Sequence, residues 1–194
     1  MNKVVLKAAL ITVAALAAAG ILIFSLWILI APQSMATVSE KLGNYNFAVT
    51  CADLKYKYSG KTENLARCAD DSILSGEDRL IVKYCEKLID RDDFAKLCNR
   101  RDEELSRTAY GIYATKYNTY IIGNLAASQY RSGDLKKAVE TAERGDEVRC
   151  FRNLVIEIRL HGSAEDIANV QEYPSQLAAR EYVKQLIELP LTAE

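Results

Sequence analysis

The sequence predicts an all-α protein: one transmembrane helix followed by an array of antiparallel helical hairpins, an α-solenoid. Three observations carry that expectation. Residues 8–31, AALITVAALAAAGILIFSLWILIA, contain no charged side chain. Ala, Leu, Glu, Lys and Arg dominate the rest, and three prolines and nine glycines in 194 residues are too few for the turns of a β-sandwich. One short line is also written three times: GNYNFAVTCADLKY from Gly43, GEDRLIVKYCEKLI from Gly76 and GDLKKAVETAERG from Gly133. Each copy has a polar Asn, Glu or Asp after the glycine and an alanine or apolar residue five positions beyond it.

Residues 1–7 read as a short cytoplasmic N-terminus and residues 8–31 as a membrane anchor. At about 1.5 Å of rise per residue, the uncharged run spans roughly 36 Å, enough to cross a bilayer core with some tilt. Trp27 falls near its far end, where an indole suits the interface. Lys3 and Lys7 precede the run and no Lys or Arg follows until Lys41, an asymmetry that places the N-terminus inside and residues 32–194 outside the cytoplasmic membrane, as in a bacterial inner-membrane protein. A cleaved signal peptide is the rival reading, since Ser34-Met35-Ala36 fits a small-x-small cleavage site. Cleavable apolar regions run only about 7–15 residues, however, which favours an uncleaved signal anchor. The Ala14/Ala18 and Ala15/Ala19 spacings also permit close pairing with another membrane helix.

Residues 32–174 are expected to form the hairpins, with turn glycines at Gly43, Gly76, Gly133 and Gly162. Before Gly76 stand Leu65, Cys68, Ala69 and Ser72, and before Gly133, at the same offsets, Ile122, Leu125, Ala126 and Gln129. Behind Gly76 come Ile81, Cys85 and Leu88, and behind Gly133 come Ala138, Ala142 and Gly145. Glycine in the left-handed conformation ends the first helix, and a polar side chain in the first turn of the second favours its positive end. Small residues on facing helices then let each pair close: Ala36 with Ala48, Ala69 with the larger Ile81, and Ala126 with Ala138. A fourth, degenerate copy runs from Phe151 across Gly162 to Ile167. Residues 175–194 read as a C-terminal capping helix and tail, with Ser175 placed to cap the helix and Leu177, Val183, Leu186 and Ile187 on its apolar face.

This pattern resembles the tetratricopeptide repeat, whose period is 34 residues. The resemblance rests on Ala36, Leu42-Gly43, Tyr45 and Ala48; on Cys68-Ala69, Gly76 and Ile81; and on Leu125-Ala126, Gly133, Leu135 and Ala138. It covers residues 36–172 intermittently. The family's aromatic and proline positions are mostly missing, and the interval from Gly76 to Gly133 is 57 residues. The resemblance implies a protein–protein interaction module whose first helices line an inner surface. In that register the surface carries Asp70, Ile73 and Leu74 in the second copy, Tyr120, Tyr130 and Arg131 in the third, and Arg149, Arg152 and Arg159 in the fourth. An extended peptide with an acidic end would suit the aromatic and basic part, its carboxylates gripped by guanidinium forks.

Other function classes find little footing. Residues 33–194 hold 23 basic and 26 acidic side chains, a net charge of −3, which does not suggest nucleic acid. No Gly-rich phosphate loop, nucleophile elbow, HExxH or calcium loop occurs, so the expectation is a protein without enzymatic activity and without a cofactor. With no CxxC and a single histidine, His161, no metal site is expected. The five cysteines, Cys51, Cys68, Cys85, Cys98 and Cys150, read as small core residues, with a Cys68–Cys85 bridge as the one plausible disulfide. Tyr110, Tyr113, Tyr117 and Tyr120 fall at helical spacing and form a stripe that either packs on neighbouring helices or binds a ligand. The Arg100-Arg101-Asp102-Glu103-Glu104 run before them reads as a solvated helix start. Arg144-Gly145-Asp146 spells an adhesion tripeptide, but Gly145 is better explained as a helix end. The expected function is therefore a membrane-anchored scaffold or chaperone-like adaptor that binds a protein or peptide. The alternative is a module that binds a ligand or cell-wall glycan through the aromatic and basic face.

Overall fold

A chain whose apolar residues recur at helical spacing folds into helices throughout. The computed structural model describes residues 3–106 and 115–190, and every regular element among them is helical. They are α1 (Lys3–Ile30), α2 (Pro32–Lys41), α3 (Tyr45–Ser59), α4 (Thr62–Ser75), α5 (Asp78–Ile89), α6 (Phe94–Ser106), α7 (Tyr117–Arg131), α8 (Leu135–Glu143), α9 (Phe151–His161), α10 (Ala164–Glu172) and α11 (Leu177–Glu188), with a 3-10 turn at Val148–Cys150 leading directly into α9. Tyr110 and Tyr113 lie outside the described residues.

α1 is apolar on every side. Leu10–Ile30 is the one stretch among the described residues long and apolar enough to cross a membrane, and none of it is buried against the rest of the chain. Pro32 opens α2, where its missing N–H and fixed φ cost nothing. Phe24 of α1 stacks on Phe47 of α3 with ring centroids 6.2 Å apart. Chain reversals follow from backbone chemistry. Gly43, Gly60, Gly76 and Gly133 all take positive φ, the conformation an L side chain resists. Asn44 and Asp134 then cap α3 and α8, their carboxyl or amide oxygens accepting from Phe47 N–H at 3.2 Å and Lys137 N–H at 3.0 Å. α10 opens on a reciprocal box between Ser163 and Asp166.

Successive helices pack on one another: α2 on α3, α3 on α4, α4 on α5, α5 on α7, and α7 on both α8 and α9. The principal core gathers Leu65, Ile81, Leu88, Leu97, Ile121, Ile122 and Leu125 from α4 to α7, and reaches Cys150. A second core holds Ala126, Ala138, Phe151, Leu154, Ile158, Val170 and Val183. α7 supplies residues to both. Ala36, Ala48, Ala69, Ile81, Ala126 and Ala138 are all buried, at 0–3% exposure, so helix axes approach closely there. α2 has only a small cluster of its own, Met35, Ala36 and Cys51.

Two local expectations are corrected. Residues 100–104 are not a helix start but the later turns of α6, which begins at Phe94 because Phe94, Leu97 and Cys98 are buried. Asp102 and Arg101 are moreover engaged: Asp102 Oδ1 accepts from Tyr117 N–H at 2.8 Å, and Arg101 Nη2 lies 3.7 Å from Asp70 Oδ2. Ser175 does not cap α11; its N–H and hydroxyl both donate to the Glu143 carboxylate, and Gln176 occupies the cap position without a side-chain bond. The five cysteines are buried free thiols, the core reading, and the alternative Cys68–Cys85 bridge is not formed. Burial pushes the Cys68 and Cys98 thiols up to about 12 and raises the other three, so thiolate is scarce at neutral pH.

Candidate partner-binding cleft

Two glycines bring α9 close to α7. A Cβ on Gly123 would lie 3.4 Å from both Asn153 Nδ2 and the Cys150 carbonyl, so α7 presents bare backbone where α9 begins. Gly145, in the turn after α8, sits against Cys150 so tightly that a Cβ would come 2.2 Å from its sulfur. Cys150 and Phe151 are thereby driven inward, at 0% and 1% exposure. Arg149 and Arg152, three residues apart on the opposite face, are left exposed.

The result is a cleft of about 560 Å³ between α7, α9 and α11. Tyr120, Gly123 and Asn124 form the α7 wall, Arg149, Arg152 and Asn153 the second, and Tyr182, Leu186 and Leu189 the third. Lys116 and Glu147 close one end with a 2.6 Å ion pair. Among the described residues, neither Arg149 nor Arg152 lies within 4.0 Å of a carboxylate oxygen; the ion pairs of the array use other arginines. Both guanidinium groups act on the Tyr182 phenol: burial raises its pKa while Arg152 and Arg149 oppose the rise. Burial pushes Tyr120 up to about 12, so it remains a neutral hydrogen-bonding phenol. Two fixed cations, two side-chain amides and two phenols over an apolar third wall can hold an extended anionic chain by forked, charge-assisted hydrogen bonds.

Of the six residues expected to contact a partner, the fold gathers three here: Tyr120, Arg149 and Arg152. The others have intramolecular work. Arg131 bridges Asp78 at 2.6 Å and Glu157 at 2.7 Å. Tyr130 donates its hydroxyl to Asp166 at 3.2 Å. Arg159 donates to the Leu186 carbonyl at 2.6 Å and to that of Leu189, satisfying carbonyls at the end of α11. On α4, Asp70 is half-buried and accepts from Tyr117 Oη at 2.9 Å, whereas Leu74 is exposed. Lys116, Asn124, Asn153 and Tyr182 were not legible as cleft residues; each belongs to an element placed by packing across the chain. His161 is exposed at the end of α9, and among the described residues no group of three His, Cys, Asp or Glu side chains is placed to hold a metal ion.

Comparison with protein-family models, with curated proteins and with solved structures finds no match.

Proposed function

We propose that this chain is a single-pass membrane scaffold or chaperone-like adaptor. α1 anchors it in the cytoplasmic membrane with its N-terminus inside, and the remaining helices form a tetratricopeptide-like hairpin array on the outer side. The array holds a protein partner through an extended acidic segment laid in the cleft between α7, α9 and α11. The observation that carries this reading is the pair Arg149 and Arg152, two cations facing a cleft with no carboxylate oxygen within 4.0 Å among the described residues; Glu147 at the cleft end feels Arg149 but pairs with Lys116. Arg131 and Arg67, by contrast, are each paired with a carboxylate. The membrane placement is supported by the uncharged stretch Leu10–Ile30 of α1 and by Lys3 and Lys7 in its first turns.

Crosslinking in intact cells, followed by recovery of the full chain, tests the partner. The native chain should recover a specific protein, and Arg149→Glu/Arg152→Glu should reduce that recovery at least about tenfold, as expected when desolvated charge pairs become repulsive. Unchanged recovery would sink the assignment of the cleft. Binding of cell-wall glycans, followed through tyrosine fluorescence and insensitive to the double reversal, would favour the alternative suggested by Tyr120 and Tyr182. Topology is tested separately: protease added to spheroplasts should digest the helices after α1, and protection of them there would place the array in the cytoplasm.

A further inference from the structure

The anchor meets the other helices through α2, which packs on α3 and is gripped from α4 by a single side chain. Its own apolar cluster has only Met35, Ala36 and Cys51, with Ile28 and Phe47 packed against it. Its polar hold comes from one residue, Arg67 of α4. Arg67 Nε and Nη2 donate to Glu40 Oε1 at 2.8 and 2.7 Å, Nη2 donates to Thr37 Oγ1 at 2.7 Å, and Nη1 to the Gln33 carbonyl at 3.4 Å. Gln33, Thr37 and Glu40 follow one another at helical spacing, so a single guanidinium grips one face of α2.

A second carboxyl shares that guanidinium. Asp71, one turn beyond Arg67, is 3% exposed; its Oδ2 lies 4.0 Å from Arg67 Nε and is buried without a hydrogen-bond partner. Arg67's donors are already spent on α2. An ionised Asp71 would be a buried anion with an orphan oxygen beside a second anion, Glu40, which is costly. A protonated carboxyl in the same place can donate to the other and turn the repulsion into a hydrogen bond.

We propose that Glu40, Arg67 and Asp71 form a proton-operated latch between the membrane-proximal helix and the array. With one proton shared by the two carboxyls, Arg67 grips α2 fully; when that proton leaves, the grip weakens and α2 keeps only its packing on α3. Burial pushes Asp71 up to about 7, the Glu40 charge adds to the rise, and Arg67 opposes it. The docked state therefore binds a proton more tightly than the undocked one, in which Asp71 returns toward 3.8. Latching is complete below about pH 4 and is lost as pH rises through about 7. The other groups around Asp71 do not reverse this. From α4, Cys68 is pushed up to about 12 and stays neutral. From α7, Tyr120 does the same. From α3, Cys51 faces Arg67 with its pKa raised, again by burial. Asp70, pushed up to about 6 by burial against the opposing Tyr117 hydrogen bond and Arg101 charge, turns towards α6 and α7; from α5, the buried neutral Cys85 senses it. Its ionisation adds negative charge beside Asp71 and acts in the same direction.

The test uses the full chain in lipid nanodiscs. A free ten-residue helix is marginal in water, so α2 with that grip weakened should fray and exchange its amides. Backbone hydrogen exchange over residues 35–42, corrected for base catalysis, should rise about tenfold or more between pH 5.5 and 8.5 while α7 stays unchanged. Asp71→Asn, whose amide can donate to Glu40 at any pH, should remain at the slow level throughout. Glu40→Gln, which removes the neighbouring anion but leaves Asp71 buried, should shrink the rise and end it at lower pH, and it decides the matter should Asp71→Asn lose the protection of α7. A native profile flat with pH, or a native-like rise in the folded variant, would overturn the latch.

Discussion

Phe151→Ala is expected to destabilise the array more than any other single truncation considered, by about 3–5 kcal/mol. The ring is 1% exposed and lies where the 3-10 turn becomes α9, packed with Leu154, Val155 and Ala138 in the second core. Removing it leaves a cavity that Gly145 and Gly123, already in close contact with this segment, give little room to collapse. The unfolding midpoint of the full chain in detergent, followed by circular dichroism, should fall on the order of 10 °C. Phe151→Leu, which restores most of the volume, should recover more than half of that. A fall equivalent to less than about 1 kcal/mol for the alanine variant would mean that α9 is not seated as described.

Gly145→Ala should damage the cleft without touching a charged residue. The new methyl would lie 2.2 Å from Cys150 Sγ, 2.9 Å from its Cβ and 3.3 Å from the Ala142 carbonyl. Either the turn after α8 or the 3-10 turn has to move, at about 1–3 kcal/mol for an overpacked site. Arg149 adjoins Cys150 and moves with it, so partner recovery should fall alongside stability. A double-mutant cycle separates the cause: Cys150→Ala removes the colliding sulfur. The pair should then be less destabilised than the sum of the single changes by about 0.5–3 kcal/mol. Strict additivity would show that the two residues do not collide.

The parts of this protein that were legible in its sequence are those decided locally. A stretch of helix with no charge over 21 residues needs no partner to be recognised, and Leu10–Ile30 of α1 is such a stretch. The helical character of the rest follows from composition and spacing, and the alanines singled out for their smallness are fully enclosed. What stayed hidden depends on distant residues. Arg131 looks like a free cation in the sequence, yet Asp78, 53 residues away, takes its charge. Arg159 spends its fork on backbone carbonyls, which no residue type advertises. Arg149 and Arg152 look no different from these two; only the placement of α11 and the tight turn at Gly145 leaves them facing a cleft. Of the tyrosine stripe, Tyr110 and Tyr113 lie outside the described residues; Tyr117 packs inward with its phenol donating to Asp70, and Tyr120 lines the cleft.

The sharing of α7 between two cores also sets an order on synthesis. A chain emerging from the ribosome presents α1 first, then α2 to α6, whose apolar faces await Ile121, Ile122 and Leu125 and are closed only when Cys150 arrives. Three-quarters of the polypeptide must therefore be made before its principal core can be complete. Until then the nascent segment offers uncovered apolar surface to any holdase nearby. A stop codon anywhere in α7 or α8 would leave the principal core open, because Cys150 would never be made.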